Sequence, residues 1–145
     1  MSFVRTWVHI VFSTKNRESF LSKEIRYQVK RKIIQNCKED HIYLQSINGY
    51  TDHLHCLVSL GREQTISSIV QHIKGKSAHW LNEKYFKERE FMWQDDYFAI
   101  SVSESQVKKV INYIKNQEHH HESFSFSQEA EEFNKKFGVI AIKDN

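Results

Sequence analysis

From Val4 to Ser13 the chain reads VRTWVHIVFS, a run of β-branched and aromatic residues that predicts a buried strand. Leu21, Ile25, Val29 and Ile33 then recur every four positions. That is the spacing of one helical face, and with Ser22 placed to cap it a helix over roughly 22–38 is expected. His41 to Ile47 predicts a second strand, and Asn48-Gly49 supplies the strongest short turn signal in the chain. His53 to Leu60 (HLHCLVSL) is the returning strand.

Ile66, Ile69, Val70, Ile73, Trp80 and Leu81 describe an amphipathic helix from about 65 to 84. After a charged connector, Tyr97 to Val102 (YFAISV) predicts a fourth strand. Ser103 and Gln106 have capping-box spacing ahead of a helix carrying Val107, Val110, Ile111 and Ile114. A last helix at about 127–137 shows Phe133 and Phe137 one turn apart, with Gly138 as a stop. The order strand, helix, strand, strand, helix, strand, helix, helix is the split βαβ pattern of an α+β, ferredoxin-like antiparallel sheet (βαββαβ) with additional C-terminal helices. No repeat, low-complexity tract or Pro/Gly-rich linker breaks the pattern, so one domain over 1–145 is expected.

Composition narrows the class. At 145 residues the chain is long enough to bury a core without staples, and 39% hydrophobic with 27% charged residues is a globular balance. No apolar run approaches the roughly 18 to 20 residues that span a bilayer. The N-terminal stretch is interrupted by Arg5 and His9 and lacks a small-residue cleavage site, so it does not read as a secretory signal. Cys37 and Cys56 are too few for a disulfide framework or a zinc ribbon. A cytoplasmic protein is expected. The net charge of +3 and a pI near 8.8 permit a polyanionic partner without requiring one. Basic residues gather at Arg26, Lys30, Arg31 and Lys32, at Lys74 and Lys76, and at Lys108, Lys109 and Lys115. Of these, Arg31, Lys74, Lys76 and Lys109 are the candidates for contact with such a polyanion, and solvated helix faces are the plainer reading.

Two local patterns carry chemistry. Strand alternation puts Leu54, Cys56, Val58 and Leu60 on one face and His53, His55, Leu57 and Ser59 on the other. The two imidazoles then stand roughly 6.5 to 7 Å apart along a rigid strand, close enough to converge on one metal ion. Asp52 precedes them and can orient a ring or add an oxygen ligand. H-x-H alone is equally a half-exposed strand that carries two histidines. The run His119 to His121 illustrates the point: at a helix end it could bind metal, and favourable interaction with the C-terminal dipole is the plainer role. In the later helix, Tyr113 and Gln117 lie one turn apart along the edge of the apolar stripe. A phenol and a carboxamide at that spacing suit a nucleophile and a metal ligand, and equally a boundary tyrosine bonded to a surface glutamine. Gly75-Lys76-Ser77 is no phosphate-binding loop: Val70 stands where the first glycine belongs, and the segment lies in a helical pattern. No nucleotide cofactor is expected.

Taken together, Asp52-His53-Leu54-His55 resembles the HUH motif (histidine, hydrophobic, histidine) of single-tyrosine transposases. Trp93 to Gln117 (WQDDYFAISVSESQVKKVINYIKNQ) resembles their later region with its tyrosine-x-x-x-glutamine helix. The group is the insertion-sequence-200-like family, and the resemblance covers nearly the whole chain in order. It implies a ferredoxin-like or RNA-recognition-like sheet, a homodimer, and cleavage and rejoining of single-stranded DNA at hairpin-bearing insertion-sequence ends through a 5′-phosphotyrosine. Residue by residue, it implies His53, His55 and Gln117 as ligands of Mg²⁺ or Mn²⁺ and Tyr113 as the nucleophile. Because the tyrosine helix commonly serves the partner subunit in that family, it also implies sites shared between subunits. Imidazole ligands favour softer ions than magnesium, so manganese is expected to work at least as well. Two other readings stay open: a non-catalytic single-strand-binding module on the same sheet, and a domesticated relative that cuts repeated palindromes.

Overall fold

The computed structural model describes residues 2–121; the helix expected at 127–137 lies outside them. The strands are β1 (Thr6–Ser13), β2 (Tyr43–Gly49), β3 (His53–Leu60) and β4 (Phe98–Val102), and the helices are α1 (Lys23–Glu39), α2 (Ile66–Lys84), α3 (Val107–Lys115) and α4 (Gln117–His121). All pairings are antiparallel and the sheet order is β2-β3-β1-β4. β1 and β2 thus run parallel with β3 between them, and β3 and β4 run parallel with β1 between them. Two interleaved split βαβ units make the ferredoxin-like sheet that the element order predicts. Right-handed crossovers put both connecting helices on one face. No helix among the described residues is long and apolar enough to cross a membrane.

The alternation within the strands decides what covers each face. Val8, Ile10 and Phe12 of β1 and Leu54, Cys56 and Val58 of β3 point toward α1 and α2, where Val29, Ile33, Cys37, Ile69, Val70 and Ile73 close the main core. On the other face Trp7 and Leu57 meet Val107, Val110, Tyr113 and Ile114 of α3 in a second, smaller core. Among the described residues α1 and α2 therefore line one side and α3 the other.

Three local expectations are corrected. Asn48-Gly49 is not the turn: both residues finish β2, and the reversal is a tight turn closed by the Tyr50 amide donating to the His53 carbonyl at 3.0 Å. Gly49 is needed for close approach instead, because a Cβ there would fall 2.1 Å from the His53 carbonyl oxygen. Ser103 makes no side-chain cap; it precedes a single 3₁₀ turn, Glu104–Gln106, that leads into α3. The capping box sits at α2, where Thr65 and Ser68 exchange side-chain and backbone bonds. Finally, α3 stops at Asn116, so Gln117 opens a new short helix rather than continuing the tyrosine helix.

Both cysteines are buried in the main core. Burial pushes the Cys37 thiol up to about 11, with Asp40 adding to the shift, and raises Cys56 still further. A thiol reagent at pH 8 should therefore titrate neither cysteine in the native protein and both in denaturant. Rapid labelling of the native chain would contradict this packing.

Candidate active site

The histidine pair falls at the start of β3, a central strand paired on both sides. His53 is fully buried and His55 is 3% exposed. They project on the α3 side of the sheet as the strand pattern predicts, with ring centroids 5.1 Å apart and planes at 72°. Asp52 takes the first of the two roles open to it: its Oδ1 lies 2.7 Å from His53 Nδ1 and orients that ring. The Asp52 carbonyl is in turn held by the Thr14 amide at 2.8 Å, which ties the turn before β3 to the end of β1.

Tyr113 does not ride the edge of the α3 stripe. It is buried with Val107, Val110 and Ile114, while Ile111 sits at the boundary. Its ring presents an edge to His55 at 5.6 Å between centroids and 78° between planes. The Tyr113 ring and the His55 ring of the same chain are thus in contact. Gln117, also buried, donates from Nε2 to the Tyr113 carbonyl at 3.3 Å. Its amide oxygen is the atom it could offer a cation.

Two fastenings hold this end of the molecule. Asn48 donates to the Lys115 carbonyl at 3.0 Å and accepts from Lys30 at 2.9 Å, so the residue that resembles a turn former pins the end of α3 to β2. Arg26 is 4% exposed; it donates to the Leu21 carbonyl at 2.9 Å, lies over Tyr50 and pairs with Glu118 at 3.4 Å. Gln117 lies between these two anchors. Burial holds the Lys30 ammonium below the usual lysine range, although Glu118 opposes that shift.

One residue that the sequence pattern does not single out completes the cluster. His9 of β1 is fully buried, and its Nε2 lies 2.9 Å from His55 Nδ1. In sequence it is only a polar interruption of a strand. The sheet register places it opposite Leu57, which makes His55 its diagonal neighbour on the same face.

The donor set fits a divalent cation. Asp52 and His9 each occupy the Nδ1 side of a β3 histidine, so Nε2 is the nitrogen through which either ring would meet a cation. Among the described residues no three His, Cys, Asp or Glu side chains gather in the arrangement a metal needs.

The four basic candidates are not brought together. Lys74 donates to the carbonyls of Gln94 and Asp95, the latter at 3.1 Å, and burial lowers its pKa. Lys76 pairs with Asp40 at 2.6 Å, and Arg31 lies over Tyr27 at 5.7 Å. All three belong to α1 or α2, across the sheet from the histidines, whereas Lys109 is exposed on α3. A cleft of about 510 Å³ opens instead beside β1 and β4, lined in part by Val11, Ser13, Arg17, Tyr97 and Phe98. Val11 is the direct cross-strand neighbour of His55 and Phe98 of Val11, so this cleft adjoins the histidine face.

Residues 2–117 match the family model described as "Transposase IS200 like". The chain is 29% identical over 115 residues to the transposase of insertion sequence IS200 from Salmonella typhimurium, covering 75% of this chain and 74% of that one. It is 25% identical over 114 residues to the ISDra2 transposase TnpA of Deinococcus radiodurans, covering 75% and 81%. Among solved structures it resembles a candidate transposase of Deinococcus radiodurans, with a TM-score of 0.65 at 21% identity over 80% of this chain and 93% of that one. It also resembles a REP-associated tyrosine transposase bound to a REP hairpin, with a TM-score of 0.63 at 17% identity over 83% and 71%.

Proposed function

The chain belongs to the IS200-like transposase family, and from that premise we propose that it cleaves and rejoins single-stranded DNA at hairpin-bearing insertion-sequence ends, with Tyr113 as nucleophile. The observation that carries this reading is the edge-on approach of the Tyr113 ring to His55 inside one buried cluster. In the proposed reaction the Tyr113 oxygen attacks the scissile phosphorus, the bond to the 3′ oxygen breaks, and the phenol proton ends on the departing 3′-OH. A 5′-phosphotyrosine results. The 3′-OH of another strand then attacks that phosphorus, the bond to Tyr113 breaks, and the phenol is restored without external energy.

A phenol ionises near pH 10 in water, so it needs help at neutral pH. Mg²⁺ or Mn²⁺, when bound, would polarise the phosphate and neutralise developing charge. His53, His55 and Gln117 would hold it, with Asp52 keeping His53 in position. Tyr97 and Phe98 beside the adjoining cleft supply aromatic faces of the kind on which single strands stack. The assembly we propose is a homodimer in the cytoplasm. To trade nucleophiles between its subunits, α3 and α4 would have to carry Tyr113 away from the His55 of its own chain.

Incubated with a single-stranded terminal hairpin oligonucleotide and Mn²⁺, the protein should form a covalent adduct that survives denaturing electrophoresis. Metal-independent binding with no adduct would overturn the reading in favour of a binding module. His55→Ala should lower the cleavage rate by several kcal/mol of lost transition-state stabilisation, on the order of 10² to 10⁴-fold, while DNA binding measured by mobility shift stays largely intact.

A further inference from the structure

We propose that His9 is a positioning residue that sets the tautomer of His55. The inference rests on the metal-site reading above and deepens it. If His55 offers Nε2 to a cation, its proton must reside on Nδ1, and that N–H points at His9 Nε2 2.9 Å away. His9 then accepts through Nε2 and carries its own proton on Nδ1. A histidine ligand whose second nitrogen is bonded in this way is fixed in both tautomer and ring orientation.

The fold explains how one residue does this. His9 and His55 occupy diagonal positions on two central antiparallel strands, so backbone ladders on both sides set their separation. His9 also meets the Tyr113 ring edge-on at 6.1 Å, which places it against both halves of the site. The two ligand histidines are oriented by unlike partners. His53 faces the carboxylate of Asp52, and His55 faces a second imidazole that accepts a hydrogen bond without adding negative charge.

The test separates acceptor from filler. His9→Phe keeps a ring of similar size but removes the acceptor; His9→Gln loses the ring but restores an oxygen near Nε2. In metal-free, ¹⁵N-histidine-labelled full-length protein, His55 should be the Nδ1–H tautomer in the wild type and lose that preference in His9→Phe. Mn²⁺ affinity, read from the free-ion electron paramagnetic resonance signal, should fall about 10- to 100-fold in His9→Phe and recover in His9→Gln. Unchanged tautomer and affinity in His9→Phe, or recovery by Phe but not Gln, would overturn the proposal and leave the metal site standing. Wild-type protein that binds no Mn²⁺ yet holds His55 as Nδ1–H would sink the metal reading and keep the His9 contact. Should His9→Phe not fold, the wild-type spectrum decides alone: His55 found as Nε2–H refutes the assignment.

Discussion

Tyr113→Phe is expected to eliminate the covalent protein–DNA adduct, a loss on the order of 10⁴-fold or more, because no neighbouring group can replace a nucleophile's missing oxygen. The substitution removes a single oxygen and leaves the ring against Val110 and Ile114 and edge-on to His55. Thermal stability should therefore change by less than about 1 kcal/mol, so the loss cannot be assigned to unfolding. An oligonucleotide labelled on the 3′ side of the cut is the right reporter, since a 5′-phosphotyrosine keeps that fragment on the protein. The chain holds six tyrosines. An adduct that persists in Tyr113→Phe would move the nucleophile to one of the other five and dissolve the proposed site.

The second large effect is on the fold, and two glycines should respond with opposite sign. At Gly49 a Cβ would meet the His53 carbonyl oxygen at 2.1 Å and the Leu54 Cα at 2.9 Å. Both neighbours are backbone of the paired strand, which cannot swing aside as a side-chain tip can. Gly49→Ala must push β2 from β3 where the histidine strand begins, at a cost of roughly 3 kcal/mol or more. Gly75 lies in the middle of α2, and a Cβ there meets nothing within 4 Å. Gly75→Ala should stabilise by about 0.5 to 1 kcal/mol through helix propensity and reduced unfolded-state entropy. Urea unfolding followed by circular dichroism measures both, and a Gly49→Ala protein as stable as wild type would show that β2 and β3 do not approach as described.

Much of this architecture is legible in the chain because it is periodic. The β-branched and aromatic run VRTWVHIVFS is enough to find a buried strand, the alternation in HLHCLVSL assigns that strand's two faces, and the four-residue recurrence of Leu21, Ile25, Val29 and Ile33 finds α1. His53 and His55 are legible for the same reason, being same-face positions of a single strand. What escapes is what depends on distant pairing. His9 becomes meaningful only when register sets it diagonal to His55, and Asn48 resembles half of a turn although its amide is bonded to the Lys115 carbonyl. Charge misleads in a related way. Arg26 and Arg31 are the same residue type on the same helix, yet one is buried against Tyr50 and Glu118 and the other is exposed. Linear spacing cannot show which way a guanidinium turns once Glu118 arrives from the far end of the fold.

The sheet order has a consequence for how the cluster opens. β3 is bonded to β2 and β1, and β1 to β3 and β4, so the amides around His9 and His55 lie in the two inner strands. They exchange with solvent only when the sheet itself comes apart, at a cost near the global unfolding free energy. α3 has nine residues, too few for a helix to persist on its own. Its attachment to the sheet is a small apolar patch together with the Asn48 bond to the Lys115 carbonyl, so it occupies the low end of the same scale. The histidine platform and the tyrosine therefore belong to different opening units. A disturbance that releases the tyrosine can leave the platform protected from exchange.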